Sequence, residues 1–280
     1  MEKSNRFQVT LFTDLHHGDA EHLDFNCKRA LSKLEGILND TGESAFYISL
    51  GDLVDFLHED STDLYEEAVE FLAARGVPPL PGGTHEGRAV YHVLGNHETA
   101  FIDKRRLGGY VPHVEGVGSV YSFRRGSVLF LVLDGNFDRE TGKDSCHVMR
   151  SSTTFTFPPS EIRWAKEEVG RNLCGIKSIV WLCHVAYKDL DEASREEMVR
   201  AIASFGLPLC IFEGHTHTER FTTAQVDGWE IPIYTLAPVT FDFTVPKEAR
   251  AESLFYYTAT FEGGRLLSVQ KRGGVKYRAE

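Results

Sequence analysis

Five times along this 280-residue chain an apolar, strand-like run stops at a cluster of glycine, aspartate, asparagine or histidine. Asp14-Leu15-His16 follows FQVTLFT, Gly51-Asp52 follows AFYISL, and Gly95-Asn96-His97-Glu98 follows RAVYHVL. His184 follows SIVWLC, and Gly214-His215-Thr216-His217 follows PLCIFE. Runs this short, bounded by turn residues, read as strands. Beyond the carboxyl ends of the strands in an open α/β sheet, loops converge on one crevice. Five such strands lying parallel as neighbours would therefore bring all five clusters together. The pattern constrains the chain to an α/β architecture with its chemistry at the strand ends.

Further strand-like segments are Ser119–Phe123, Val128–Leu133, Ile231–Leu236, Leu254–Phe261 and Arg265–Lys271, with a hairpin turning at Arg125–Gly126. Apolar residues at helical spacing mark four helices. Cys27, Ala30, Leu31, Leu34, Ile37 and Leu38 carry the first; Leu64, Ala68, Val69 and Leu72 carry the second. A third follows Pro158–Pro159, with Ser160 as its expected cap and Ile162, Ala165 and Val169 as its stripe. The fourth has Met198, Val199, Ile202 and Phe205. Two sheets packed face to face, with helices on their outer faces, accommodate this order. No linker or repeat interrupts the chain, so residues 1–280 are expected to form one domain. The irregular stretches Thr99–Gly118 and Gly135–Pro159 are too long for plain connectors and read as functional loops.

Charge and cysteine content exclude some partners. A net charge of −11 argues against a surface that grips nucleic acid. No apolar run is long enough to span a membrane, and MEKSNRFQVTLFTDLHHG lacks the core of a signal peptide. Cys27, Cys146, Cys174, Cys183 and Cys210 form no C-x-x-C pair and suit a reducing compartment, so a cytoplasmic location is expected.

Asp14, His16, Asp52, Asn96, His184, His215 and His217 offer oxygen and imidazole nitrogen without thiolate, a donor set suited to Mn²⁺, Fe²⁺ or Zn²⁺. Seven donors exceed the needs of one tetrahedral ion. A carboxylate can bridge, so the set fits two ions about 3.5–4 Å apart. Such a pair can deprotonate a shared water and neutralise the charge that develops in phosphoryl transfer. Each cluster alone has a bland reading: D-x-H as a cap, Gly-Asp as a turn, Asn-His-Glu as a helix start. Their order and position at strand ends favour a site.

The ordered series Asp14-x-His16, Gly51-Asp52, Gly95-Asn96-His97-Glu98, His184 and Gly214-His215-x-His217 resembles the calcineurin-like metallophosphoesterase superfamily over about residues 7 to 220. The resemblance implies a four-layer αββα sandwich with two central mixed β-sheets and a dinuclear centre at the strand ends. It implies one metal held by Asp14, His16, Asp52 and His217, and a second held by Asp52, Asn96, His184 and His215, with Asp52 bridging. His97 then matches the histidine that contacts the phosphoryl group or protonates the leaving oxygen, a role suited to an imidazole. The implied activity is hydrolysis of a small phosphodiester, phosphomonoester or nucleotide pyrophosphate, by in-line attack of hydroxide bridging two divalent ions (Mn, Fe or Zn). Phe56 and Leu94 stand where the protein phosphatases of the superfamily usually carry arginine, which disfavours a phosphoprotein substrate. Val185 stands where relatives often have proline after the histidine.

Other residues carry weaker expectations. Asp55 is placed to orient a histidine, His17 to point elsewhere, and Glu98 to support its loop. Lys104, Arg105 and Arg106 read as a solvated run more than as an anion site. Asn136, Arg139 and His147 are remote substrate candidates, and His22, His58, His85, His92 and His113 are background. A non-catalytic scaffold with the same fold is the alternative function. A metal-dependent amidohydrolase barrel, suggested by His-x-His alone, conflicts with the late position of that pair and the strand-rich C-terminal third.

Overall fold

In the computed structural model, which describes residues 6–18, 30–55, 61–82, 87–144, 155–240, 244–246 and 253–275, the strands form two main sheets. Strands β1 (Arg6–Phe12), β2 (Phe46–Ser49) and β3 (Val90–His92) are parallel neighbours. Antiparallel β12 (Ser253–Glu262) and β13 (Arg265–Val275) extend that sheet beyond β1. The second sheet has a parallel centre of β5 (Val128–Val132), β8 (Ser178–Leu182), β9 (Leu209–Glu213) and β11 (Trp229–Thr235). Antiparallel β4 (Tyr121–Arg125) and β10 (Arg220–Val226) lie at its edges. Both sheets are mixed, and the protein is α/β.

Period-two alternation sorts the layers. Along β5, Val128, Phe130 and Val132 join the core between the sheets, whereas Leu129 and Leu131 join the core on the opposite face. A strand covered on both sides reads as a continuous apolar run, as β5 and β8 do. Helices α1 (Ala30–Asp40) and α2 (Thr62–Ala73) contribute Leu34, Ile37, Val69 and Leu72 to the apolar cluster that continues from the first sheet. Helices α4 (Pro159–Asn172) and α5 (Glu192–Ala203) contribute Ile162, Val169, Met198 and Ile202 to the second cluster, over Trp181. The expected αββα layering is present, and β1 ties the N-terminal strand to the C-terminal pair.

Several local expectations are corrected. The five site-bearing strands are not neighbours in one sheet: three belong to the first sheet and β8 and β9 to the second. Their carboxyl ends nevertheless meet, because the sheets pack face to face. The third helix starts at Pro159 with Pro158 as N-cap, so Ser160 lies inside the first turn. Proline is preset for that first position. The hairpin pairs Arg125 with Val128 and so turns at Gly126–Ser127, one residue late. Strand β10 was not expected, since as an exposed edge it needs no apolar run. Asn96–Phe101 forms a short helix, α3, and β6 (Phe137–Asp138) pairs with β7 (Phe155–Thr156). Cys27, Phe56, Cys146, His22, His58, His85 and His147 lie outside the described residues. Among the described residues no helix is long and apolar enough to cross a membrane.

Candidate metal centre

Backbone conformation marks the site before any side chain does. Six non-glycine residues among those described have positive φ, and five of them are Asp14, His16, Asp52, His215 and His217. The sixth, Asp227, precedes Gly228 in the β10–β11 hairpin, an ordinary turn use. Each left-handed residue outside such a turn costs roughly 1–3 kcal/mol. A few fully buried core side chains, at roughly 1.5–3 kcal/mol apiece, offset that cost.

Hydrogen bonds between the strand-end loops hold these conformations. Asp14 N donates to Gly51 O at 3.0 Å, and His16 N to Asp52 O at 3.0 Å. Thr13 Oγ1 donates to Asp14 Oδ2 at 2.7 Å, His215 N donates to the same oxygen at 3.2 Å, and Thr240 Oγ1 caps Asp14 O. Glu98 is fully buried and accepts from Asp52 N, Leu53 N, Val54 N and Gly95 N, which stitches the second loop to the third. Burial and the nearby Asp52 charge push its carboxyl up to about 7. A Cβ at Gly95 would overlap the Asp52 carboxylate and one at Gly214 would overlap Thr13, so both loops need glycine for this approach.

The loops bring the seven predicted donors together in two groups that share Asp52. In the first, ligating atoms of Asp14, His16, Asp52 and His217 all lie within 4.8 Å of one another. His217 Nε2 stands 3.1 Å from Asp14 Oδ1 and 3.1 Å from His16 Nε2. In the second, His184 Nε2 lies 3.2 Å from Asp52 Oδ2 and 2.9 Å from Asn96 Oδ1. His215 Nδ1 lies 2.7 Å from the same Asn96 oxygen. Donors that share one cation at bonds of about 2.1 Å stand about 3 Å apart.

Tautomers support the same reading. His184 Nδ1 donates to Leu50 O at 2.8 Å, so in the neutral ring Nε2 presents a lone pair to Asn96 Oδ1, itself an acceptor. Two acceptors in contact need positive charge between them, supplied by a proton on Nε2 or by a bound cation. Burial opposes protonation of His184, yet the Asp52 and Asp14 carboxylates raise its pKa to about 9. Burial likewise opposes ionisation of Asp14 and Asp52, but His217 and His184 hold both below the usual carboxylate range. Burial and His184 lower His215 to about 3. These residues fit a pair of divalent cations in donor type, spacing and charge.

His97 sits beside both groups without joining either. Its N–H donates to Asp52 Oδ1 at 2.9 Å, its Nε2 is 3.6 Å from Asp52 Oδ2, and its Nδ1 is 3.0 Å from Asp55 Oδ1. Asp55 also approaches His16 Nδ1, at 3.6 Å, and thus orients two imidazoles. Burial lowers the His97 pKa, but Asp52 and Asp55 outweigh it and the net shift is upward. His17 turns away to Glu67 at 2.9 Å.

Lys104 is not solvated. It is buried against Asp134, at 2.8 Å, and Asp144. Arg105 pairs outward with Asp103, as expected of a surface charge. Asn136 is a structural residue whose amide donates to Leu94 O at 2.9 Å, next to the Gly95 loop. Arg139 pairs with Asp191. Sequence reasoning missed Thr13, Thr240 and Asp134. Asp134-Gly135-Asn136 repeats the pattern of a polar cluster after an apolar strand, and that signal was present.

The family model described as calcineurin-like phosphoesterase matches residues 7–219. No curated protein matches. A dimetal phosphatase from Danio rerio is similar in fold, at TM-score 0.66 and 15% identity, with 96% of this chain and 99% of that one covered. A 5′-nucleotidase precursor from Thermus thermophilus matches at TM-score 0.51 and 14% identity, over 96% of this chain and 54% of that one. At these identities the two structures speak for the fold.

Proposed function

The chain belongs to the calcineurin-like phosphoesterase family and is a metal-dependent phosphoesterase, and from that premise we propose that it hydrolyses a small phosphodiester, phosphomonoester or nucleotide pyrophosphate at a dinuclear centre. The observation that carries the reading is the pair of donor groups that share Asp52. Asp14, His16 and His217 would complete one cation site, and Asn96, His184 and His215 the other. When bound, two divalent ions supply Lewis acidity toward a phosphoryl oxygen and a nucleophile drawn from water.

The chain's own residues do the rest. Asp52 holds both donor groups in register, and its Oδ1 fixes the start of α3 through the His97 N–H. Asp55 accepts from His97 Nδ1, which aims Nε2 at the space above Asp52, where it can give a proton to a departing oxygen. Leu94, apolar and buried, offers no guanidinium for a phosphoprotein. We place the activity in one domain spanning residues 1–280, in the cytoplasm, with Mn, Fe or Zn as the metal.

The test is a Mn²⁺-supplemented panel of a monoester, a diester, a cyclic nucleotide and a dinucleotide pyrophosphate, run beside elemental analysis. Turnover with about two metals per chain, lost in Asp52→Asn, is expected. A protein that cannot be loaded with metal and turns over nothing would return the scaffold reading.

A further inference from the structure

Glu213 is the last residue of β9, directly before Gly214 and His215, and it is buried. Leu209 and Ile211 of that strand pack in the core under α4 and α5, and Cys210 and Phe212 pack between the sheets. Period two therefore sets Glu213 on the helix-covered face. A carboxylate buried there needs partners for both oxygens. Oε1 accepts from Thr235 Oγ1 at 2.6 Å, across the parallel pairing of β9 with β11. Oε2 accepts from Tyr187 N at 2.7 Å.

The second of these bonds spans two donor-bearing loops. Tyr187 lies three residues beyond His184, and Glu213 two residues before His215. The same loops share one backbone bond, from Gly214 N to His184 O at 3.1 Å. Two ties at different points fix an orientation that a single tie leaves free to pivot. The imidazoles carried by these loops have ring centroids 5.3 Å apart, and each reaches Asn96 Oδ1. The first donor group rests mainly on other segments. Asp14, His16 and Asp52 follow strands of the opposite sheet, and the bonds from Asp14 N and His16 N join their loops to each other. Of that group, His217 alone shares the loop that Glu213 begins.

We propose that Glu213 is a positioning residue of the second cation site, which fixes His184 and His215 relative to each other by bridging the loops that carry them. The proposal deepens the dinuclear reading above and rests on it. Metal sites are sensitive to such support, because their donors must stand within about 0.2 Å of the bonding distance. Loss of a group that orients the donors typically costs about tenfold to a hundredfold in metal affinity.

The experiment titrates the chelator-treated full chain with Mn²⁺ and reads stoichiometry and affinity by calorimetry. The wild type is expected to bind about two ions. Glu213→Ala should weaken one of them by about tenfold or more and leave the other unchanged. Glu213→Gln should restore wild-type binding, since its carbonyl can accept from Tyr187 N and its amide can donate to Thr235 Oγ1. Glu213→Asp is one methylene shorter, cannot reach both partners and should bind as Glu213→Ala does; it decides the matter should Glu213→Ala not fold. His215→Ala identifies the ion concerned. It removes a donor of the second site, so adding Glu213→Ala to it should leave the remaining affinity unchanged. A further loss in that double variant would overturn the proposal, as would equal weakening of both ions in Glu213→Ala or a Glu213→Gln chain that binds as poorly. A wild type that takes up fewer than two ions defeats the dinuclear reading itself. Two ions in the wild type, with unchanged binding in Glu213→Ala and Glu213→Asp, defeat the Glu213 assignment alone.

Discussion

Two buried charge clusters lie on either side of the loop that carries Asn96 and His97, and they balance their charge differently. Around Lys104, the carboxylates of Asp134 and Asp144 find their counter-charge within the chain. Glu161 beside them is held neutral by burial and by the Asp134 charge, well above the usual carboxyl range. Around Asp52, neither Asp14 nor Asp52 pairs with a lysine or arginine among the described residues; their ion-pair partners there are histidines. An uncompensated buried ion costs several kcal/mol. The first cluster draws its positive charge from a lysine, while the second draws it only from imidazoles, whose charge a bound cation can replace. A structural network and a metal centre thus use the same residue types and differ in where the positive charge comes from.

The strongest test of that contrast removes the shared carboxylate. Asp52→Asn is expected to bring turnover to background and metal content from about two per chain to one or none, read by elemental analysis. A variant that keeps both ions and full activity would break the comparison. Next in size, His97→Ala should cost about 10²–10⁴ in kcat with metal content unchanged, because His97 lies beside both donor groups and within neither. Co-loss of metal would instead place it among the ligands.

Lys104→Met probes the self-contained cluster. Leaving Asp134 buried without its partner should destabilise the fold by about 3 kcal/mol in denaturant titrations, with metal stoichiometry intact. Loss of metal in that variant would show that the two clusters are one network. His92 gives the smallest and most controlled effect. It is fully buried, neither ring nitrogen finds a hydrogen-bond partner among the described residues, and burial lowers its pKa to about 3. Its unfolded value is near 6.5, so below that pH the unfolded chain takes up a proton that the folded chain refuses, and stability falls as pH falls toward 3. Between pH 7 and 5.5 the wild type should lose about 1 kcal/mol more than His92→Phe. Equal slopes for the two would show that His92 is protonated in the folded state.

How legible the molecule was differs by region. The core strands β1, β2, β5, β8, β9 and β12 stood out because burial on one or both faces forces apolar residues into runs. Edge strand β10 did not, since five of its seven residues face solvent. The donors were legible because each sits at the end of such a run, and Asp52, Asn96 and His215 directly follow a glycine. Lys104 was misjudged because a basic triplet looks solvated from its neighbours in sequence, and its partners, Asp134 and Asp144, lie thirty and forty residues away.

The sequence by itself determined the type of the main core elements, the two-face burial of the central strands and the seven candidate donors, because periodicity and local turn chemistry are properties of adjacent residues. Tertiary structure decided that the five site-bearing strands divide between two sheets, that Lys104 is buried against Asp134 and Asp144, and that five of the site residues hold left-handed backbone. Those outcomes depend on which distant segments pack together, and a face-to-face sandwich can bring carboxyl ends from separate sheets as close as neighbours within one.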